Sequence, residues 1–516
     1  MRQGARVAGG MLGVAILLIG WQMLAQALYQ GRLIAGPVGI VEWLGRDPGL
    51  ALRALVRTLG NAAAGFALGN LAAILLAGIA FLWPRLQDLV TGLALVAFCL
   101  PLIATGPILR VLMGPGEGPQ IVLAALAVQY TTLIPLLTGL RAVPAAWLDL
   151  IHSYGRGRWA ELAHVRARAA LPYLFAGLQI GAPAAVLGAM VGEFTGAERG
   201  LGVLTIRYMR DLDVPALWGV AILAAGASLA AYWAIGGLAR LVLDTRPPVL
   251  LAPPMRQLRT GRVVGGLTLA LAVLLLWWGG LWLTGLNPFL AKGPGDVLAA
   301  LVWAPDATQM RAALFGALRE SAGLAVPGYL AGLAAGAGLA ILLTLLPGAG
   351  PLVMPVAVAL RAIPIVTTGP LIVLFLGRGA LGTITLVAMM VFFPTLVACL
   401  HGLRQAPGHI LDLLRVHAAG PLSQMIHVRI PAMLPALFAA ARISVPTAIL
   451  AVTVVEWLAT GRGLGSLMAL AASTSDFRML WSAVALITLL AVLCHAVVAG
   501  LERRVLARYA PEQLRQ

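Results

Sequence analysis

Apolar runs of about 20 residues alternate with short polar segments along the whole chain. A helix of that length crosses the hydrocarbon core of a bilayer. The pattern therefore predicts an all-α polytopic membrane protein with twelve spans, six in each half. In the first half the runs lie at about 9–29, 59–82, 89–112, 120–141, 173–194 and 216–241. In the second half they lie at about 264–285, 322–346, 351–376, 380–403, 436–458 and 479–501.

The two halves repeat each other at a constant offset of 263 residues, without a gap across most of their length. Such self-similarity at a fixed offset indicates a duplicated structural unit. We expect a first unit at 1–243, a cytoplasmic linker at 244–262 and a second unit at 263–516. The matched pairs include Gly65 and Gly328, Gly69 and Gly332, Pro144 and Pro407, Asp149 and Asp412, Glu193 and Glu456, and Trp218 and Trp481.

The orientation of the chain follows from its charges. Six spans per half give both units the same orientation, so a pseudo-twofold axis should run along the membrane normal. The net charge is +17, with only 11% charged residues and a mean hydropathy of +0.94. Lys and Arg are richer on the side that holds both termini and the linker, which the positive-inside rule assigns to the cytoplasm. Because the arginines are spread between apolar runs, we expect no nucleic-acid partner.

The chain has no visible catalytic or metal motif. Cys99, Cys399 and Cys494 are isolated within apolar runs, and the seven histidines lack metal-ligand spacing. A phosphate-binding loop needs a Lys after Gly, and the single lysine, Lys292, does not fit that pattern. We therefore expect no cofactor on this chain and no enzymatic activity of its own.

Two polar, arginine-bearing segments interrupt the apolar pattern at matched positions, and we call 141–172 the first island and 404–435 the second island. Each is expected to enter a short helix after a proline, to place an Asp near the helix start, where it complements the dipole, and to end at a proline. Ala418 replaces the first island's glycine and lacks its backbone freedom. The second island should therefore bind a docking partner more weakly, or its turn should lie at Gly420 instead. The candidate residues are Pro144, Asp149, Gly155, Gly157 and Pro172, matched by Pro407, Asp412, Ala418, Gly420 and Pro435.

The islands resemble the cytoplasmic "EAA" loop of permease subunits in binding-protein-dependent ABC importers. Asp149 and Asp412 stand at the Glu position, and Gly155 stands at the Gly position. The flanks, CLPLIATGP and AIPIVTTGP before the islands and GEFTGAERGLG and VEWLATGRGLG after them, are similar to the nitrate, sulfonate, taurine and thiamine-precursor branch. The resemblance covers nearly the whole chain twice.

This resemblance implies two tandem type I permease units fused in one chain. It implies two ATPase subunits that bind the islands and carry ATP and Mg²⁺, and a substrate-binding protein that is periplasmic or lipid-anchored. One fused chain per complex would lie among the lipids of a bacterial inner membrane, with both termini cytoplasmic. The substrate would be a small polar solute, either an organic anion such as a sulfonate, taurine or nitrate, or a thiamine precursor.

Four charged residues within or near the spans are candidates for the translocation path: Arg110, Glu193, Arg361 and Glu456. Two interpretations stay open for each. The glutamates either line the path or form structural pairs with Arg199 and Arg462. The arginines either attract anions or extend to lipid headgroups. We also expect Gly106-Pro107 and Gly369-Pro370 to kink the third spans.

Two other function classes compete with an ABC permease. A twelve-span, ion-coupled secondary transporter would share the span count and the repeat, but it would not explain a duplicated polar island after each fourth span. A membrane-embedded enzyme would need a nucleophile or a metal cluster that the sequence does not show.

Overall fold

The computed structural model describes residues 18–27, 34–143, 145–243, 262–350, 353, 365–377 and 379–509. Within these residues the chain is helical and contains no strand. The helices of the first unit are α1 (Pro37–Arg46), α2 (Pro48–Leu82), α3 (Gln87–Cys99), α4 (Leu102–Met113), α5 (Gly118–Arg141), α6 (Ala145–Ser153), α7 (Arg158–Glu161), α8 (Ala167–Phe194), α9 (Leu201–Arg210) and α10 (Val214–Val242). A further helical stretch covers 18–27.

The second unit repeats this order of helices. Its helices are α11 (Arg262–Thr284), α12 (Pro294–Val302), α13 (Ala307–Leu345), α14 (Ile365–Leu376), α15 (Ala380–Arg404), α16 (Gly408–Val416), α17 (Pro421–Gln424), α18 (Ile430–Val455), α19 (Gly463–Ser473) and α20 (Phe477–Tyr509). A π-helical turn joins α7 to α8 at Leu162–Arg166, and another joins α17 to α18 at Met425–Arg429. The 263-residue offset thus holds in the structure as well as in the sequence.

The spans agree with the hydropathy pattern wherever the structure describes them. Nine described helices are long and apolar enough to cross a membrane, and the number is ten if the bent pair of α3 and α4 is counted as one span. About half of each of the two remaining expected spans, 9–29 and 351–376, lies outside the described ranges. The all-α polytopic fold with tandem permease-like units is therefore confirmed.

The third span of the first unit breaks at a different point from the one we expected. Helices α3 and α4 meet at an angle of 95° across Leu100 and Pro101, whereas Gly106 and Pro107 lie inside α4. Leu100 is extended, with φ −62° and ψ 131°, which agrees with the preference of a residue before proline for the extended region. The sharp break therefore lies about six residues before Gly106-Pro107.

Repeated glycines bring two helices of each unit into close contact. A Cβ atom on Gly69 of α2 would lie 2.5 Å from the carbonyl oxygen of Ala125 in α5. In the second unit, a Cβ on Gly332 of α13 would lie 2.6 Å from the carbonyl oxygen of Ala388 in α15. Small residues allow such backbone contact between membrane helices, which explains why these glycines occur in both copies.

The third span of each unit packs against the other unit. Ala104 and Ile108 of α4 belong to a buried cluster that also contains Leu480 and Val484 of α20. Reciprocally, Leu371 of α14 is buried with residues of α10. These contacts are related by the same offset, so the two units interlock as a pseudo-symmetric pair.

The contact at Gly332 gives a stability prediction. Gly332→Ala forces α13 away from α15 and should destabilise the protein by about 1–3 kcal/mol. Gly338→Ala is the matched control, because a Cβ there meets nothing within 4 Å and alanine favours the helix. Tryptophan fluorescence during heating in detergent should show a lower midpoint for Gly332→Ala only. Equal midpoints would contradict the close contact.

Candidate functional site

Each island folds as a short helix, a tight turn and a second helical segment that continues into the fifth span. In the first island α6 is followed by α7, and the helical path from Arg158 to Phe194 is long enough to cross the membrane. In the second island α16 leads to the continuous segment Pro421–Thr460. A movement of either island is therefore a movement of the end of a membrane helix.

The prolines expected to close the islands do not mark the ends of the islands in the structure. Pro172 is inside α8 and Pro435 is inside α18, so neither begins a span. Neighbouring packing lets a membrane helix contain proline without ending. At the other end of the islands, Pro407 is the N-cap of α16, as expected of an entry proline, whereas Pro144 lies outside the described residues.

The two aspartates occupy the middle of their helices. Asp149 is the fifth residue of α6 and Asp412 is the fifth residue of α16, and neither helix has an acid in its first turn. The expectation that they complement the helix dipole was therefore wrong. Both side chains are exposed, and the Asp412 carboxylate instead accepts a hydrogen bond from Arg415 at 2.9 Å. An exposed pair of this kind adds little stability, which leaves both carboxylates free for a partner.

The turn of each island uses a left-handed residue at the same position. Gly155 has φ +68° and Ala418 has φ +56°, and the amide of each donates to a carbonyl three residues earlier at 2.9 Å. The alternative turn at Gly420 was wrong, because Gly420 is extended at the N-cap of α17, as Gly157 is at the N-cap of α7. Ala418 thus keeps the turn at a cost of about 1 kcal/mol relative to glycine.

An apolar surface on each island remains uncovered. Trp147 and Leu150 of α6 are 57% and 58% exposed, and their counterparts Ile410 and Leu413 of α16 are 39% and 57% exposed. Matched apolar residues beside an exposed aspartate indicate a surface that binds a protein.

The first island is also fixed by a buried carboxylate that sequence reasoning missed. Glu161 of α7 is only 5% exposed and bonds to Arg166, which also donates to the carbonyl oxygen of Leu140 at the end of α5. His152 of α6 lies 3.6 Å from the same carboxylate. The only sequence signal was one acid within an arginine-rich segment. In the second island Gln424 takes this position and donates to the carbonyl of Ala419 at 2.9 Å.

Glu193 is buried at the far end of the fifth span, 1% exposed, and holds the start of α9. Its carboxylate accepts hydrogen bonds from the Thr58 hydroxyl and the Gly202 amide, both at 2.7 Å. The Thr58 hydroxyl oxygen in turn accepts from the Leu201 amide at 2.9 Å. A Cβ at Gly200 would lie 2.2 Å from the carboxyl carbon, so only glycine fits there.

The second unit repeats this arrangement. The Glu456 carboxylate accepts from the Ser321 hydroxyl at 2.8 Å and from the Gly465 amide at 2.9 Å, and Ser321 accepts from the Leu464 amide. Within the described residues neither Glu193 nor Glu456 forms an ion pair with Arg199 or Arg462. The expected structural pairs were therefore wrong. The true partners are a hydroxyl from α2 or α13 and backbone amides.

Of the two candidate arginines, the structure describes one. Arg110 of α4 is half-buried against Gly196, where a Cβ would lie 3.0 Å from the arginine Nε. Arg361 lies outside the described residues. Among the residues that the structure covers, no group of three or more His, Cys, Asp or Glu side chains is placed to hold a metal ion. The hydrogen bonds that the structure describes at Glu193 and Glu456 position helices.

The buried carboxylates give the first prediction for this site. Glu193→Ala leaves the Gly202 amide and the Thr58 hydroxyl buried without their acceptor, at about 1–3 kcal/mol per group. Amide hydrogen exchange across 200–205 should become faster by mass spectrometry. The exposed Glu198→Ala is the control and should leave this exchange unchanged. Protection that survives in Glu193→Ala would contradict the capping role.

The turn gives a second prediction. Ala418→Gly should stabilise the protein by up to about 1 kcal/mol, and Gly155→Ala should destabilise it by a similar amount, because both positions have positive φ. Thermal midpoints of the two purified variants should move in opposite directions. A shift of both in the same direction would argue against a shared turn.

The chain matches known proteins in both units. The family model for "Binding-protein-dependent transport system inner membrane component" matches residues 69–244 and again 328–509. A probable ABC transporter permease protein of Haemophilus influenzae is 31% identical over 234 residues, 45% of this chain and 96% of that protein. The formylaminopyrimidine transport permease protein ThiX of Halalkalibacterium halodurans is 26% identical over 232 residues, 45% of this chain and 93% of that protein.

A third relative, the riboflavin transport system permease protein RibX of Chloroflexus aurantiacus, is 33% identical over 145 residues, 28% of this chain and 54% of that protein. The first two relatives are matched almost in full by less than half of this chain, which is the relation between a permease of one unit and a chain that contains two. The double family match covers most of the sequence and confirms the resemblance drawn from the islands and their flanks. The chain belongs to the family of inner membrane components of binding-protein-dependent transport systems, and it is a duplicated ABC importer permease.

Proposed function

We propose that this chain supplies both transmembrane halves of one ATP-driven importer, with one ATPase subunit bound to each island. The observation that carries the proposal is the repeated island surface, in which matched apolar side chains and a matched aspartate are exposed on α6 and α16. ATP and Mg²⁺ would bind to the ATPases, so this chain needs no cofactor. One fused chain would pair with two ATPases and one external binding protein.

The islands are suited to transmit movement because each is continuous with a fifth span. If ATP binding brings the two ATPases together, the islands move with them and pull the ends of α8 and α18. The interlocked third spans then require both units to rearrange together. Alternating access would arise from this rocking of one unit against the other.

The proposed location is a bacterial inner membrane, with both termini and both islands in the cytoplasm. The excess of Lys and Arg on that side supports this orientation. The external face would then carry α9 and α19, where a periplasmic or lipid-anchored binding protein delivers the solute.

The proposed cargo is a small polar solute, either an organic anion or a thiamine precursor. The names of the relatives support this range, since one is a formylaminopyrimidine permease, one a riboflavin permease, and another, from Bacillus subtilis, a putative aliphatic sulfonates permease. The alternative of an ion-coupled secondary transporter is not favoured. Glu193 and Glu456, its candidate coupling acids, have hydrogen-bond partners that hold helices.

Co-purification tests the docking role. The purified chain from native membranes should carry two ATPase subunits, quantified by mass spectrometry. Leu150→Arg and Leu413→Arg place a charge on the exposed island faces, and each should reduce the ratio of ATPase to permease to about half, because each removes one of two sites. The double variant should lose both subunits.

Trp303→Arg is the control, since Trp303 is 70% exposed but far along the chain from either island. It should keep the full complement of ATPase. An unchanged ratio in the double variant would refute docking at the islands. A wild-type chain that carries no ATPase and transports under an ion gradient in liposomes would refute the importer.

A further inference from the structure

An open cleft of about 590 Å³ lies at the end of the fifth span of the first unit. Its walls include Phe194 and Gly196, which follow the buried Glu193, and Arg207, Arg210 and Asp211 at the end of α9. The segment from Arg158 to Phe194 crosses the membrane between the first island and this cleft. The cleft is therefore at the opposite face from the islands, which is the side where the solute would enter.

Two arginines and two acids line this cleft, and a third arginine lies behind its wall. Arg207 and Arg210 are exposed to it, and Arg110 lies directly behind its Gly196 wall. Gly196 has φ +115° and no side chain, which leaves the Arg110 guanidinium room to approach the cleft. Two guanidinium groups thus line the cleft and a third lies behind its Gly196 wall, and they come from two helices that are distant in sequence.

These positive charges are poorly neutralised by the protein. Within the described residues Arg110 and Arg210 form no ion pair, and Arg207 reaches Asp211 only at 3.9 Å with both side chains largely exposed. Glu193 also borders the cleft, but its two oxygens are already bonded to Thr58 and Gly202. A half-buried arginine without a counter-charge attracts an anion, because it has lost part of its hydration.

The second unit lacks this feature entirely. At the offset of 263 residues, Arg110 corresponds to Val373, Arg207 to Leu470 and Arg210 to Ser473. Val373 is buried, and the Ser473 hydroxyl donates to the Leu470 carbonyl within its own helix at 2.8 Å. The backbone of α19 repeats that of α9, so the difference lies in the side chains alone.

We propose that the first unit alone holds an anion-binding site at the entrance of the path, in which Arg110, Arg207 and Arg210 bind a carboxylate, sulfonate or phosphate group of the solute. The proposal rests on the proposed function only where it calls this anion the transported solute. Guanidinium groups suit such oxyanions because their N–H donors form a planar fork. The first unit alone would then select solutes by their charge, although the two units are related by pseudo-symmetry.

Arginine labelling tests the site without knowledge of the natural solute. Phenylglyoxal modification of the purified full chain in detergent would be followed at each arginine by mass spectrometry, with ethanesulfonate as the probe. When ethanesulfonate occupies about nine-tenths of the sites, labelling of Arg207 and Arg210 should slow about tenfold by mass action. The exposed Arg462 is the control and should react equally fast with and without the probe.

Arg110→Gln should reduce the protection of Arg207 and Arg210 several-fold, because it removes the half-buried charge but keeps a polar side chain of similar length. Chloride at equal ionic strength and the neutral ethanesulfonamide should protect neither residue. Equal slowing at Arg462, equal protection by chloride, or full protection in Arg110→Gln would overturn the proposal. Protection that requires an added binding protein would also overturn it and would make the cleft a protein-docking surface. Co-purification of the ATPase is independent of each of these results.

Discussion

A helix that begins inside a protein presents backbone amides with no partner in its own first turn, and the outer part of this molecule depends on how those amides are satisfied. Here a buried carboxylate at the end of the fifth span and a hydroxyl from the long helix α2 or α13 accept them. Glu193 and Thr58 do so for α9, and Glu456 and Ser321 do so for α19. Three helices of each unit are thereby fixed to one another at a single point. The position of the entrance cleft follows from this junction, since Glu193 is also part of its wall.

The fifth span connects that junction to the opposite face of the membrane. It runs without a break from an island, through a π-helical turn, to the buried carboxylate. The island end is exposed and apolar, which suits a changing partner, whereas the far end is buried and holds the next helix through hydrogen bonds, which suits a pivot. This arrangement gives each unit one long rigid element with a surface for force at one end and a fixed point at the other.

Much of the architecture was predictable from the sequence because membrane spans and exact repeats leave strong signals. Hydropathy located the spans that the structure describes, and the repeat predicted that Gly69 and Gly332 occupy equivalent positions in the two units. Features that depend on which of two similar local sequences breaks a helix were not predictable. Both Leu100-Pro101 and Gly106-Pro107 are plausible break points in sequence, but the span breaks at the first pair and keeps the second pair inside α4, where Gly106 lies close to Thr195.

The candidate site was less predictable than the fold for a related reason. The sequence distance from Glu193 to Arg199 suggested an ion pair, but the partner Thr58 is 135 residues away and carries no charge. Ala418 lacks the backbone freedom of glycine, yet the surrounding turn holds it at positive φ. The free-energy cost of this conformation is small compared with the free energy of the hydrogen bonds that the turn makes. Arg207 and Arg210 became candidates for anion binding only when the two units were compared position by position.

The interlocked third spans have a consequence for the order in which the protein is made. Ile108 packs into a cluster that contains Leu480, which the ribosome adds about 370 residues later. At 5–20 residues per second the first unit therefore waits roughly 20 to 70 seconds for the surface that covers α4. In water an apolar face left open for so long would invite aggregation. In a bilayer lipid tails cover it at little cost, since they are as apolar as the helix that finally replaces them. The membrane thus serves as a temporary partner for the first unit until the second unit has been inserted.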